Sequence, residues 1–140
     1  MIIVDTNVLS EFMRPAPAAA VATWFARQDG DQLWTTTITE AELLVGAAIL
    51  PDGKRKAELG RTIDATLQRF GQRILPFDRD AAQQLAVVFT QRRAVRLDIK
   101  LADGQIAAIA RAYGAAVATR DIDDFAHTGV TVINPWTARP

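Results

Sequence analysis

The chain has no cysteine. That excludes disulfides, thiolate metal ligands and a cysteine nucleophile. Histidine is almost as scarce: only His127 is present. It reads as a loop or surface residue, so a metal held by this chain would rely on oxygen ligands. No apolar run reaches the roughly 18 residues that a membrane-spanning helix needs. No basic segment precedes the apolar start, which Asp5 interrupts, so no signal peptide is expected. These absences fit a cytoplasmic protein with no membrane contact. Excess charge is missing as well, because 16 basic residues balance 16 acidic ones. Proteins that hold nucleic acid by bulk charge are usually more basic. A nucleic acid would therefore have to meet a local basic patch, a metal or a dimer surface.

What is present is an ordinary globular composition, 49% hydrophobic and 23% charged over 140 residues, enough for a real core. With no repeat, low-complexity tract or linker, residues 1–140 are expected to form one domain. Strand-like and helix-like segments alternate, which predicts an α/β fold with a mostly parallel sheet of about four to five strands. Strands are expected at Ile2 to Val4, Gln32 to Thr36, Arg73 to Pro76, Ala116 to Thr119 and Val130 to Ile133. Helices are expected at Thr6 to Met13, Ala18 to Arg27, Thr39 to Leu50, Lys54 to Phe70, Asp78 to Arg92 and Leu101 to Tyr113. Pro15 and Pro17 interrupt the first helix and Gly114 stops the last.

Acidic residues recur where these elements begin or end. Asp5 closes the first strand, and ligands of open α/β sheets bind beyond the carboxyl ends of strands. A helix cap is the plainer reading of Asp5, but it does not account for the polar Thr6 and Asn7 that follow. Glu42 completes a Thr39-x-x-Glu42 capping box, so taken alone it reads as a cap rather than a ligand. Asp103 opens an apolar helix, with Asp98 competing for its cap. Asp121 follows the fourth strand, and Asp124 can point back into the same cleft from a short helix, whereas Asp123 reads as exposed. Carboxylates gathered at one sheet end repel one another unless a cation joins them. Mg²⁺ or Mn²⁺ would relieve that repulsion and take up substrate phosphate oxygens, which is the chemistry of a metal-dependent phosphodiesterase.

Two basic groups, Lys54-Arg55-Lys56 and Arg92-Arg93-Arg96-Lys100, suit either a phosphate backbone or a solvated face. An ion pair of Lys100 with Asp98 or Asp103 is left open, and such a pair would weaken a metal site. Trp24, Trp34 and Trp136 read as core or interface residues.

Four segments and the chain's ending together resemble PIN-domain proteins. The segments are Ile2-Ile3-Val4-Asp5-Thr6-Asn7-Val8-Leu9-Ser10, Thr37-Ile38-Thr39-Glu40-Ala41-Glu42-Leu43 with Gly46, Asp103-Gly104-Gln105-Ile106-Ala107-Ala108, and Thr119-Arg120-Asp121 followed by Asp124-Phe125. The ending is Val130 to Trp136. The match runs in order over nearly the whole chain and is similar to the VapC family of toxins, in its FitB-like branch. That resemblance implies a three-layer α/β/α fold and a Mg²⁺- or Mn²⁺-dependent endoribonuclease. Its metal-site positions here are Asp5, Glu42, Asp103 and Asp121, with Asp124 and Thr119 in support. It also implies an RNA substrate, a homodimer and a VapB- or FitA-like antitoxin whose tail blocks the cleft. Operator DNA would be bound only through that antitoxin. A catalytically weak PIN domain serving as a binding module is the alternative. A haloacid-dehalogenase-type phosphatase is disfavoured, since it resembles Asp-x-Asp after the first strand and position 7 here is Asn.

Overall fold

The alternation expected from the sequence is present in the computed structural model, which describes residues 1–138. The strands are β1 (Ile2–Val4), β2 (Leu33–Thr36), β3 (Ile74–Leu75), β4 (Ala116–Ala118) and β5 (Val132–Ile133). The helices are α1 (Thr6–Phe12), α2 (Ala19–Arg27), α3 (Thr37–Ala48), α4 (Lys54–Phe70), α5 (Arg79–Ala94), α6 (Leu101–Tyr113) and the single turn α7 (Ile122–Phe125). The sheet order is β3-β2-β1-β4-β5, and every pairing is parallel. Parallel neighbours need crossovers, which here are helices on both faces.

The period of two along each strand divides the core. Ile3 and Val117 face one side, where they meet Val88, Ile106, Ile109 and Phe125 from α5, α6 and α7. Val4 and Ala118 face the other, against Val8, Leu9, Val21, Trp24, Leu43 and Ile63 from α1 to α4. The result is three layers, helix over sheet over helix. Trp24 is buried, and Trp34 and Trp136 pack partly buried against the two clusters, so all three tryptophans belong to the core. Among the described residues no helix is long and apolar enough to cross a membrane.

Two helix caps differ from the sequence expectation, and both differences concern the acids. α3 begins at Thr37, and its cap is Thr36, whose hydroxyl accepts from the Thr39 amide at 3.1 Å. Strand β2 runs directly into the helix, so the cap falls at the strand's last residue. Glu42 then stands beyond the first turn and is not the partner of a Thr39 cap. At α6 the capping position is Lys100, without a side-chain bond, and Asp98 plays no capping part. Asp98 instead offers its carbonyl to Arg92.

Candidate functional site

Register places the site. Val4 pairs with Ala118 across β1 and β4, so the next residues, Asp5 and Thr119, emerge side by side at the carboxyl ends of these strands. The sheet order reverses at this pair, since β2 and β3 lie on one side of β1 and β4 and β5 on the other. This is the topological switch point, where α/β sheets open a crevice. Asp5 and Thr119 are both buried. Thr119 Oγ1 donates to Asp5 Oδ2 at 2.7 Å, and the Thr6 amide donates to Asp5 Oδ1 at 2.7 Å. The plain cap reading of Asp5 therefore holds, because it does start α1. Its second oxygen, however, accepts from Thr119 and Asn7.

Asn7 ties this pair to the fourth segment. Its Nδ2 lies 3.0 Å from Asp5 Oδ2, 3.0 Å from Thr119 Oγ1 and 3.1 Å from Asp121 Oδ2. Its Oδ1 accepts from the Arg120 amide at 3.1 Å. Thr119 Oγ1 also accepts from the Asp121 amide at 3.1 Å. On the other flank, Thr6 Oγ1 donates to Glu42 Oε1 at 2.9 Å, so α1 orients an exposed glutamate on α3. Asn7 and Thr6 were not among the sequence candidates. Their polarity after a buried strand was visible, but their partners lie 36 and more than 110 residues away.

Electrostatics bind the remaining acids into one group. Burial pushes the Asp5 carboxyl up from 3.8 to about 6, and repulsion from Asp103 and Glu42 adds to it, against the bonds from Thr119 and Thr6. Asp103, half-buried at the start of α6, is also raised, first by burial and then by Asp124, Glu42 and Asp121. Asp124 acts on Asp103 ahead of Asp121. Lys100 pulls the other way at Asp103. Yet none of the ion pairs among the described residues joins Lys100 to Asp98 or Asp103, and none neutralises the five clustered acids.

The chemistry of this donor set fits a hard divalent cation. It consists of carboxylate oxygens and a hydroxyl, no ion pair among the described residues neutralises it, and its most buried carboxyl resists ionisation. The acids do not close on a point: among the described residues no three of them stand close enough to share one ion. His127 is exposed, with a left-handed backbone at φ 59°. The first basic group is a solvated helix face, where Lys54 pairs with Glu58 and Lys56 with Asp52. The second divides: Arg93, Arg96 and Lys100 are exposed, whereas Arg92 is buried and cannot track a phosphate chain.

Comparison with known proteins gives the same frame. The PIN-domain profile matches residues 2–130. A VapC ribonuclease, Y4jK of Sinorhizobium fredii, is 41% identical over 97% of this chain and 98% of its own length. The toxin FitB of Neisseria gonorrhoeae is 39% identical over 97% of this chain and 99% of its own. Among solved structures, FitAB bound to an IR36 DNA fragment superposes with a TM-score of 0.93 at 38% identity, covering 100% of this chain and 99% of that one.

Proposed function

The chain belongs to the PIN-domain family, and on that premise we propose that it is the toxin of a toxin–antitoxin pair and a Mg²⁺- or Mn²⁺-dependent endoribonuclease. The observation that carries this reading is the meeting of Asp5 and Thr119 at the switch point, with Glu42, Asp103, Asp121 and Asp124 around them and no ion pair among the described residues to neutralise them. The names of the relatives, VapC ribonuclease and toxin FitB, support it. Residues 1–140 act as one PIN domain in the cytoplasm.

Asp5, Glu42, Asp103 and Asp121, joined by Asp124, would draw together to hold the metal. A bound divalent cation supplies charge neutralisation at the scissile phosphate and lowers the pKa of water. The protein's own groups do the arranging. Thr119 fixes the rotamer of Asp5, Asn7 spaces Asp5 from Asp121, and Thr6 aims Glu42. The acids also repel the phosphate backbone wherever no cation lies between, so cleavage depends on metal. The chain acts as a homodimer, and its partner is a VapB- or FitA-like antitoxin whose tail fills the cleft. Operator DNA is reached through that antitoxin, in keeping with the DNA-bound FitAB neighbour.

The test is cleavage of a pooled cellular RNA by antitoxin-free protein in Mg²⁺, Mn²⁺ or chelator, wild type beside Asp5→Asn. Discrete fragments that require both metal and Asp5 are expected. Folded protein that binds its antitoxin but cuts nothing at any metal concentration would replace this reading with that of a binding module.

A further inference from the structure

Among the described residues Arg92 is the most deeply buried cation, 4% exposed, and it has no carboxylate partner there. Burying a guanidinium without a counter-ion is costly unless its hydrogens are taken up. Here they go to main-chain carbonyls. Nη1 donates to Asp123 O at 2.8 Å and to Ala126 O at 2.9 Å, and Nη2 donates to Asp98 O. Nε is left without a partner. So costly an arrangement calls for a reason, and the acceptors supply one.

Asp123 lies between Asp121 and Asp124, and Ala126 ends α7. A one-turn helix does not hold itself in water. Arg92 takes up the Ala126 carbonyl and shares the Asp123 carbonyl with the Ala126 amide, as a cation at a helix C-terminus should. Asp98 lies on the other wall, in the segment that leads into α6 two residues before its cap and five before Asp103. One guanidinium thus joins the turn that carries Asp121 and Asp124 to the approach that sets Asp103. A lysine could not do this, because it is a point donor rather than a planar fork.

We propose that Arg92 is a positioning residue of the acidic site: it clamps the 121–126 turn against the 98–103 segment and so sets the spacing of Asp103, Asp121 and Asp124. The proposal rests on the metal-site reading above. Arg92 touches neither substrate nor metal and acts through the main chain alone.

The experiment compares wild type, Arg92→Met, Arg92→Lys and Val88→Ala, all free of antitoxin. Val88 is a buried residue one turn earlier in α5, and its truncation gives a destabilised control with the clamp intact. Hydrogen exchange by mass spectrometry is read without metal, and Mn²⁺ affinity by electron paramagnetic resonance. In Arg92→Met, exchange in 98–104 and 121–126 is expected to rise about tenfold or more while β1 and α4 stay protected, and Mn²⁺ affinity is expected to fall about tenfold or more, as for other supporting shells. Arg92→Lys should lie between, and Val88→Ala should change neither selectively. Unchanged local exchange in folded Arg92→Met overturns the clamp. Faster exchange with undiminished Mn²⁺ affinity overturns its link to the acids. A wild type that binds no Mn²⁺ sinks the metal reading instead, and the exchange data still judge the clamp. Failure of both Arg92 variants to fold would make the role global and the proposal wrong.

Discussion

Thr119 Oγ1 donates its only hydrogen to Asp5 Oδ2 at 2.7 Å, because both of its acceptor positions are taken by Asn7 Nδ2 and the Asp121 amide. Three segments of the site thus converge on one hydroxyl. Replacing it should be felt in all of them. Thr119→Val keeps the shape and removes the oxygen, which leaves buried polar groups unpaired at a cost of about 1–3 kcal/mol. The expected outcome is that loss in chemical denaturation and a weaker affinity for Mn²⁺. Thr119→Ser, which restores the oxygen, should recover most of both. Equal behaviour of Val and Ser would show that the hydroxyl is dispensable.

The raised Asp5 carboxyl fixes a pH dependence. A carboxyl at 3.8 in the unfolded chain and about 6 in the fold binds its proton more tightly when folded. Its stabilising protonation is fully present below 3.8 and is lost as pH rises through 6. The gap corresponds to roughly 3 kcal/mol. In chelator, Asp5→Asn should therefore be more stable than wild type at pH 8, with the advantage shrinking toward pH 4. Repulsion from Asp103 and Glu42 is part of that gap and eases in the same variant. Mn²⁺ at a thousandfold excess over Kd should reverse the order by stabilising wild type alone, by about 4.1 kcal/mol. Melting curves at both pH values, with and without metal, check this. A pH-independent difference would mean that Asp5 is not the strained group.

Local pattern carried much of this far ahead of the structure. Short β-branched runs, Gly114 and the proline pair located β1, the end of α6 and the end of α1, since each signal acts within a few residues. α4 and α6 match their expected bounds. The sheet order is different in kind: β1 lies beside β4 because of packing between residues more than a hundred positions apart. So the acids were visible as candidates, but the bonds that join them were not. Glu42 shows the limit well. A Thr-x-x-Glu pattern suggested a cap at Thr39, and only the run of β2 straight into α3 moved the cap to Thr36. Arg92 shows it again, since a basic run reads as solvated unless one knows that α7 folds over its fourth turn.

Gly104, directly after Asp103, sets how closely α6 approaches α5. A Cβ there would stand 2.8 Å from Phe89 Cε2 and 3.2 Å from Leu85 Cδ1. Gly104→Ala should force the ring or the helix to move and lose about 1–3 kcal/mol, despite the better helix propensity of alanine. Phe89 is partly exposed, so the ring has room to yield. Phe89→Ala in the Gly104→Ala background should then cost less than Phe89→Ala alone. A double-mutant cycle by urea denaturation measures that coupling, and strict additivity would mean that the two residues do not meet.

Arg120 stands on the rim between Thr119 and Asp121, and its guanidinium lies 5.4 Å from the centroid of the Trp136 ring. It is exposed, so the stacking contributes modestly to stability, about 0.5–1 kcal/mol. Its amide is bound by Asn7 and its charge acts on Glu11, so the guanidinium would meet a phosphate that passes along this rim. Under the ribonuclease reading, Arg120→Ala should raise KM several-fold and leave kcat nearly unchanged, because the group binds ground state and transition state alike. The salt dependence of RNA binding should also flatten by about 0.7 in log–log slope, the amount for one lost phosphate contact on a single strand. Trp136→Leu, which frees the guanidinium, should weaken binding less than Arg120→Ala does. A fall in kcat at constant KM would instead place Arg120 among the groups that act only in the transition state.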